Sequence, residues 1–261
     1  MARLIQKSGY IQGGRAARYM EYVAKRDGVE VLQSTEPVTK KQMQFFTKLL
    51  KDFPAACIDL VVTSPPYDDL RDYTGAVGWN FDVFQTIARE LYRVVKPGGV
   101  VVWIVGDKTD NGAKSLTSFK QALYFQEIGF SMYDVIIYEK AGSGPPHPNR
   151  YFNAFEYMFV LSKGRPKTVH ILKDKPNKWA GYTTYDHISS WSDPGDLVLD
   201  PFGGSGTTAK AAQLMGREWV LIDAVEEYCA IAKKRMERIP NADSDHEHRL
   251  GKGDIAVEKQ I

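Results

Sequence analysis

The stretch Asp196-Leu-Val-Leu-Asp200, with the loop Pro201-Phe-Gly-Gly-Ser-Gly206 after it, decides the fold class of this chain. Three apolar residues stand between the two aspartates, and this short run predicts a buried strand. The glycine-rich loop predicts a tight turn into a helix over Thr207–Met215. A second apolar run, Trp219–Asp223, predicts the next strand. Strand, glycine loop, helix and strand in this order indicate an α/β sheet.

The same alternation runs through most of the chain. Apolar runs and helical spacing predict strands over Asp59–Thr63, Val100–Val105, Phe130–Tyr138 and Phe155–Leu161, and helices over Phe81–Val95, Ser115–Ile128 and Glu226–Ile239. We therefore predict an α/β fold with a mostly parallel sheet. A loose glycine-containing start and helices over about 15–25 and 39–50 predict a basic helical extension over residues 1–54. The polar stretch 240–261 predicts a disordered tail.

The composition excludes several classes of protein. Of the 261 residues, 43% are hydrophobic and 25% charged, as in ordinary globular proteins. No apolar run approaches the roughly 20 residues that span a bilayer, and Met1–Lys7 turns polar too early for a signal peptide. We expect a cytoplasmic protein without a membrane partner. The two cysteines, Cys57 and Cys229, are too few for a disulfide framework or a cysteine-based zinc site, and we expect no metal.

The net charge of +2 is unevenly distributed. Residues 1–51 carry ten basic against four acidic side chains, and residues 140–178 carry eight against two. Such segments are usually solvated surfaces, but together they could also place positive charge on one face for a nucleic acid.

The glycine loop indicates a site for a nucleotide-like cofactor. Glycines allow a ligand close to the backbone, and an acid at the tip of the next strand, Asp223, can bind ribose hydroxyls. Because Gly204-Ser-Gly-Thr-Thr-Ala209 also fits the dinucleotide pattern G-x-G-x-x-A, the loop alone does not separate NAD from S-adenosylmethionine. A plain tight turn between strand and helix would also account for it.

A second signature, Ser64-Pro65-Pro66-Tyr67, follows the predicted strand Asp59–Thr63. Two prolines fix the backbone, so the Ser64 hydroxyl and the Pro65 carbonyl can both be held as acceptors. Two acceptors suit an exocyclic amino group, whose lone pair is otherwise delocalised into its ring. Tyr67 offers a flat face on which a flipped base can stack. A proline turn with an incidental tyrosine is the alternative for this tetrapeptide taken alone.

Together, Thr63-Ser-Pro-Pro-Tyr67 and Asp200-Pro-Phe-Gly-Gly-Ser-Gly-Thr-Thr208 resemble the catalytic and cofactor-binding signatures of DNA amino-methyltransferases, which make N4-methylcytosine or N6-methyladenine. The catalytic signature comes first, which is the permuted order of the β group of that family. The likeness covers about Ile58 to Ile239. It implies a Rossmann-like, circularly permuted methyltransferase fold, S-adenosyl-L-methionine as cofactor and DNA as partner.

The resemblance also implies roles for individual residues. The catalytic set is Ser64, Pro65, Pro66 and Tyr67. The cofactor-binding set is Asp200, Pro201, Phe202, Gly203, Gly204, Ser205, Gly206, Thr207 and Asp223. DNA-recognition elements fall in a reduced region of about 141–187. A C5-cytosine enzyme is disfavoured, because its nucleophile is a cysteine that follows a proline, and neither cysteine of this chain follows one.

Two features depart from the family pattern. Members usually have a longer insertion before the helix that precedes the glycine loop, whereas here Trp179–His187 runs almost directly into Ile188-Ser-Ser-Trp191. In addition, Lys7-Ser-Gly-Tyr-Ile11 weakly resembles the start of a mobilisation relaxase. An impaired remnant or a DNA-binding protein of a mobile element, with the same fold, is therefore the alternative. A nicotinamide-dependent dehydrogenase would leave the proline signature without a role.

The resemblance is compatible with a homodimer and with a separately encoded restriction endonuclease. We expect the protein at the nucleoid, in a bacterial, phage or mobile-element setting. Ser64 favours cytosine as the target, although serine forms that act on adenine exist in this group.

Overall fold

The structure is a computed structural model that describes residues 3–5, 10–13, 50–51, 53–66, 79–140, 149, 153–171, 183–223 and 226–237. Eight strands form one sheet in the order β1-β2-β10-β9-β3-β4-β8-β7. They are β1 (Arg3–Ile5), β2 (Tyr10–Gly13), β3 (Ile58–Thr63), β4 (Val95–Val105), β7 (Ser131–Glu139), β8 (Phe155–Ser162), β9 (Leu197–Asp200) and β10 (Glu218–Ile222). A small hairpin, β5 (Thr109–Asp110) and β6 (Ala113–Lys114), follows β4. The helices are α1 (Phe81–Val94), α2 (Thr117–Glu127), α3 (Thr183–Trp191), α4 (Thr207–Leu214) and α5 (Glu226–Glu237).

The four central strands, β10, β9, β3 and β4, run parallel. Strand β2 is antiparallel to β10, β8 to β4, and β7 to β8. The predicted fold class is therefore confirmed, with antiparallel strands at both sides of the parallel centre. Because parallel strands end at the same edge of a sheet, the loops after β3, β4, β9 and β10 share one edge.

Both faces of the central sheet are buried. Every residue of β3 is buried, as expected for a parallel strand between two helical layers. Val61 packs with α1 and α2, while Leu60 and Val62 pack with α3, α4 and α5. The two free thiols are buried in these two layers, Cys57 in the first and Cys229 in the second. Burial raises the pKa of the Cys57 thiol to about 11.

Two predicted segments differ in the structure. Lys96-Pro97-Gly98-Gly99 follows the predicted helix Phe81–Val95, outside the strand predicted over Val100–Val105, but belongs to strand β4. Gly98 N donates to Lys163 O (2.7 Å) and Lys163 N donates to Gly99 O (3.0 Å). The predicted loose start contains β1 and β2, and β2 joins the main sheet beside β10.

The helix predicted over about 15–25 and the predicted tail lie outside the described residues. Of the helix predicted over about 39–50, only its end is described, where Leu50 is helical. Among the described helices, none has the length and apolar character needed to cross a membrane.

Candidate functional site

The two signatures meet at the carboxyl edge of the sheet. Strands β3 and β9 are parallel neighbours, with Leu60 opposite Val198 and Val61 opposite Leu199. Ser64 directly follows β3 and Asp200 is the last residue of β9. Two segments that are distant in the chain therefore leave the sheet side by side.

Asp200 organises this edge as a buried hydrogen-bond acceptor. Its Oδ1 accepts from Thr63 Oγ1 at 2.8 Å and from the backbone N–H of Phe202 at 3.1 Å. Thr208, in the first turn of α4, also hydrogen-bonds to it. Burial raises the pKa of the Asp200 carboxyl to about 6, and the nearby Asp223 charge acts in the same direction, while the three hydrogen bonds oppose them. Asp200 thus joins β3, its own loop and α4.

The glycine loop, Pro201–Gly206, is closed by its own backbone. Gly203 N donates to Ile222 O (2.8 Å) and Gly206 N donates to Gly203 O (2.9 Å). A Cβ at Gly203 would lie 2.0 Å from Leu221 Cγ, and one at Gly206 would lie 2.8 Å from the Ala232 Cβ. These two glycines are therefore required by packing against β10 and α5.

Gly204 has a different role in the same loop. Its φ of +49° is in the left-handed region, and a Cβ there would meet nothing within 4 Å. Its backbone N–H donates to Asp223 Oδ2 at 2.8 Å. The loop therefore presents open space over Gly204, next to a carboxylate that already contacts it.

The outer side of the glycine loop is held by α5. Arg235 Nη1 lies 3.2 Å from both Ser205 Oγ and Thr207 Oγ1 and donates to them. Pro201 is buried and Thr207 is exposed. All nine residues predicted to bind the cofactor are therefore brought together, on one loop and on the tip of β10.

Only part of the predicted catalytic set can be placed. Ser64 is exposed, Pro65 is buried and Pro66 is half-buried, while Tyr67 lies outside the described residues. The buried Pro65 ring fixes the backbone that presents Ser64. The structure therefore brings Ser64, Pro65 and Pro66 next to the glycine loop.

Two residues to which the sequence assigned no role lie at this edge. Thr63 makes the hydrogen bond to Asp200 described above. Trp79, just before the helix-capping Asn80, packs edge-on against Phe202 of the glycine loop, with ring centroids 5.5 Å apart. The sequence signal for Trp79 is its position before a helix cap, but its partner is distant in the chain.

His187, at the end of the shortened segment, is a core residue. Its Nε2 lies 3.4 Å from Met158 Sδ, and its Nδ1 accepts from Trp191 Nε1 at 3.3 Å. Burial lowers the pKa of His187 to about 4, so the ring is neutral at physiological pH.

Comparisons with known proteins agree on one family. The N6/N4 methyltransferase family model, described as DNA methylase, matches residues 58–184 and 182–234. The orphan methyltransferase M.BamHII of Bacillus amyloliquefaciens is 41% identical over 255 positions, covering 75% of this chain and 94% of that protein. The putative DNA modification methylase TTHA0409 of Thermus thermophilus, in complex with S-adenosyl-L-methionine, matches with a TM-score of 0.59 and 26% identity, over 77% of this chain and 93% of that one. The PvuII cytosine-N4-specific DNA methyltransferase shares the fold, with a TM-score of 0.61 and 23% identity over 75% of this chain and 84% of that one.

The same comparisons show that M.BamHII has positions without a counterpart in this chain. The M.BamHII alignment has 255 positions, but 75% of 261 residues is about 196, so about 59 of its positions have no residue in this chain. The family model matches in two pieces that meet at residues 182–184. This joint falls within the segment Trp179–His187 that the sequence marked as shortened.

Proposed function

The chain belongs to the N6/N4 DNA methylase family, and from this premise we propose how its residues divide the work of methylating DNA. It is a DNA amino-methyltransferase that uses S-adenosyl-L-methionine. The methyl group passes to an exocyclic amino nitrogen, N4 of cytosine or N6 of adenine. We assign base binding to the proline signature and cofactor binding to the glycine loop because Ser64 and Asp200 lie next to each other at one edge of the sheet.

The glycine loop and Asp223 are proposed to hold the cofactor. This proposal is supported by the open space over Gly204, against which a ligand can lie, and by the Asp223 carboxylate beside it, to which we assign the hydroxyls of a ribose. Phe202 and Trp79 form an edge-on aromatic pair at the start of the same loop. When bound, the cofactor supplies a methyl group activated by a positively charged sulfur. These features support the predicted set of Asp200 to Thr207 and Asp223.

Ser64–Tyr67 is proposed to hold the target base. The Ser64 hydroxyl and the Pro65 carbonyl accept the two amino protons, which favours the pyramidal nitrogen that attacks a methyl group. Tyr67 stacks on the base after it leaves the duplex. The bound cofactor would supply the methyl group to this nitrogen, and the amino proton displaced by it would leave to water beside the exposed Ser64. No covalent enzyme intermediate is needed.

One incubation tests both the reaction and the base. Purified protein, mixed-sequence DNA and methyl-labelled S-adenosylmethionine are combined, and the nucleosides are identified by mass spectrometry. We expect label in N4-methylcytosine or N6-methyladenine. Label in 5-methylcytosine would contradict the proposal. Absence of label, with no calorimetric signal for the cofactor, would favour the impaired remnant.

We propose a catalytic unit over residues 55–239 with a reduced recognition region at about 141–187. The gap of about 59 positions and the joint at 182–184 support this reduction. Strand β2 lies within the extension 1–54 and yet pairs with β10, so part of the extension supports the catalytic sheet. Fewer recognition contacts should relax selectivity. Sequencing of methylated sites is expected to show several sequence contexts, and a single long motif would contradict the reduction.

DNA is the partner that the family implies, and for this reason we propose a cytoplasmic location at the nucleoid. A separately encoded endonuclease is also proposed. It would be detected as a nuclease from the same cells whose cleavage is blocked at the methylated sites. Cleavage that ignores the methylation would exclude that pairing.

A homodimer is proposed from an apolar face beside the edge strand β7. Six large apolar side chains on this face are 37–66% exposed: Leu116, Phe119, Leu123, Val135, Ile137 and Phe155. Three of them meet at Tyr157, whose ring lies 5.2 Å from that of Phe119 and 5.3 Å from that of Phe155, and which pairs with Ile137. Leu116 and Leu123 are three residues before and four residues after Phe119 along α2, and Val135 is two residues before Ile137 on β7. At about 100 Å² each, they expose roughly 600 Å². A standard interface buries about 800 Å² per partner, and homodimer interfaces are about 65% apolar, so the area of this face suits a second copy at the standard size.

Light scattering after size-exclusion chromatography tests the dimer. Phe119→Asp is expected to convert a dimer to a monomer. Ile171→Asp, which alters a more exposed isoleucine away from this face, is the control and should leave the mass unchanged. A monomeric wild type, or a dimeric Phe119→Asp variant, would contradict the assignment.

A further inference from the structure

Two contacts join the cofactor signature to the residues that flank the connection from β3 to α1. Thr63 Oγ1 donates to Asp200 Oδ1 at 2.8 Å, and both residues are buried. The rings of Trp79 and Phe202 lie edge-on, 5.5 Å apart. Thr63 directly precedes Ser64, and Trp79 directly precedes the cap of α1. The connection from β3 to α1, which contains the base-binding signature, is therefore contacted at both ends by residues of the cofactor signature.

Asp200 and Phe202 are themselves linked. The Asp200 Oδ1 that accepts from Thr63 also accepts from the backbone N–H of Phe202. A displacement of the glycine loop would therefore move the Asp200 Oδ1 atom, which contacts Thr63, and the Phe202 ring, which contacts Trp79. These two residues stand at the two ends of the connection that contains the base-binding signature. The contacts are buried or half-buried, where hydrogen bonds and ring packing are least weakened by water.

We propose that Thr63 is a positioning residue that couples the two binding sites, so that cofactor on the glycine loop and target base at Ser64 strengthen each other's binding. The proposal rests on the division of labour given under Proposed function. Coupling between sites is reciprocal, so the factor by which cofactor tightens DNA equals the factor by which DNA tightens cofactor. Trp79 contributes to the same coupling through Phe202.

The hydroxyl group of Thr63, rather than its shape, is assigned this role. Thr63→Val keeps the branched shape that suits a strand and removes the donor. Thr63→Ser keeps the donor. Thr168→Val is the matched control, because Thr168 is also buried and donates to an aspartate, Asp193 Oδ2, at 2.6 Å. Asp193 precedes β9, so this pair lies at the opposite edge of the sheet from the signatures.

The test is a binding cycle with the product S-adenosylhomocysteine as probe. Its dissociation constant is measured by calorimetry with and without a DNA duplex that the wild type methylates, and the ratio is the coupling factor. Couplings between sites are typically about 5- to 150-fold. We expect Thr63→Val to bring the coupling factor close to 1 and Trp79→Leu to lower it. Thr63→Ser and Thr168→Val should keep it within about twofold of the wild-type value, a change that is small beside a coupling of the typical size.

The outcomes separate this inference from the proposed function. No binding of the probe by the wild type overturns the proposed function and this inference with it. Normal binding and methylation with a wild-type ratio near 1, or with an unchanged ratio in Thr63→Val, overturns the coupling alone. Loss of the ratio in Thr63→Ser as well, which keeps the donor, would overturn the assignment of the coupling to the hydroxyl group alone. Loss in Thr168→Val would mean that the effect comes from general destabilisation, and melting temperatures measured in parallel identify that case.

Discussion

The glycine loop and the proline loop leave neighbouring strands at the same edge, but they are fixed by different means. The glycine loop is closed by its own backbone hydrogen bonds and packed against Leu221 and Ala232. The proline loop begins with an exposed Ser64 next to a buried Pro65, and its strand is tied to Asp200 through Thr63. The first is part of the fold, and the second depends on the first for its position. Substitutions in the glycine loop should therefore affect stability, and those at Ser64 should affect only turnover.

The largest effect is expected at Gly203. Gly203→Ala places a Cβ 2.0 Å from Leu221 Cγ, and Leu221 is fully buried, so the core must shift. Overpacking on this scale should lower the free energy of unfolding by about 3 kcal/mol. Gly204→Ala is the control, with open space and only the strain of a positive φ, about 1 kcal/mol. Urea titration of both variants measures the difference. Equal losses would remove the distinction between the packed and the open part of the loop.

The next effect is expected at Ser64. Ser64→Ala removes one of the two proposed acceptors of the amino protons, and losing one group of this kind costs turnover about 100-fold, or about 2.7 kcal/mol. Because Ser64 is exposed, the midpoint of urea unfolding should not change, and neither should the affinity for S-adenosylhomocysteine. Single-turnover kinetics with labelled cofactor measures the rate. Unchanged turnover would contradict the comparison of the two loops, because the proline loop would then have no role in catalysis.

The smallest effect concerns pH. Burial raises the Asp200 pKa from 3.8 to about 6, so the native state binds this proton more tightly, and the group's contribution to stability falls as pH rises from about 4 to about 6. This rise in the pKa of Asp200 corresponds to about 3 kcal/mol in the free energy of unfolding. Asp200→Asn removes the buried charge and retains an oxygen for Thr63, so above pH 6 we expect it to be more stable than wild type by about half of that amount. Near pH 4 the two proteins should be equally stable.

Thermal unfolding across pH 4–8 measures this difference. His187, whose pKa burial lowers to about 4, makes stability rise with pH over a similar range. This contribution is common to both proteins and cancels in the comparison. A variant that is less stable than wild type at pH 8 would mean that the carboxylate is a net stabiliser of the glycine loop.

Elements with local signals could be predicted closely. The apolar spacing of Phe81–Val95 predicted α1 within one residue, and the glycine loop was placed between β9 and α4. The start of β4 could not be predicted, because Gly98 and Gly99 join the strand through hydrogen bonds to Lys163 and Lys167, which are distant in the chain. Strands β1 and β2 were missed for the same reason, since β2 depends on pairing with residues of β10 that lie 206 to 212 positions later in the chain.

The candidate site shows the same limit. Both signatures were recognisable because their prolines and glycines carry backbone constraints that are local to the sequence. Their adjacency was implied by the resemblance alone, and the Thr63–Asp200 bond links residues 137 positions apart. Trp79 had no motif to mark it, because its packing against Phe202 depends on where α1 starts in three dimensions.

The burial of both thiols makes this protein convenient for optical reporting. Cys57 and Cys229 are the only cysteines, both are buried, and the high pKa of Cys57 keeps it protonated at neutral pH. A cysteine introduced at Asn111, in the exposed turn between β5 and β6, would be the preferred target of a maleimide fluorophore. Because this hairpin follows β4, the dye would stand at the edge where base and cofactor meet and could report their arrival in real time.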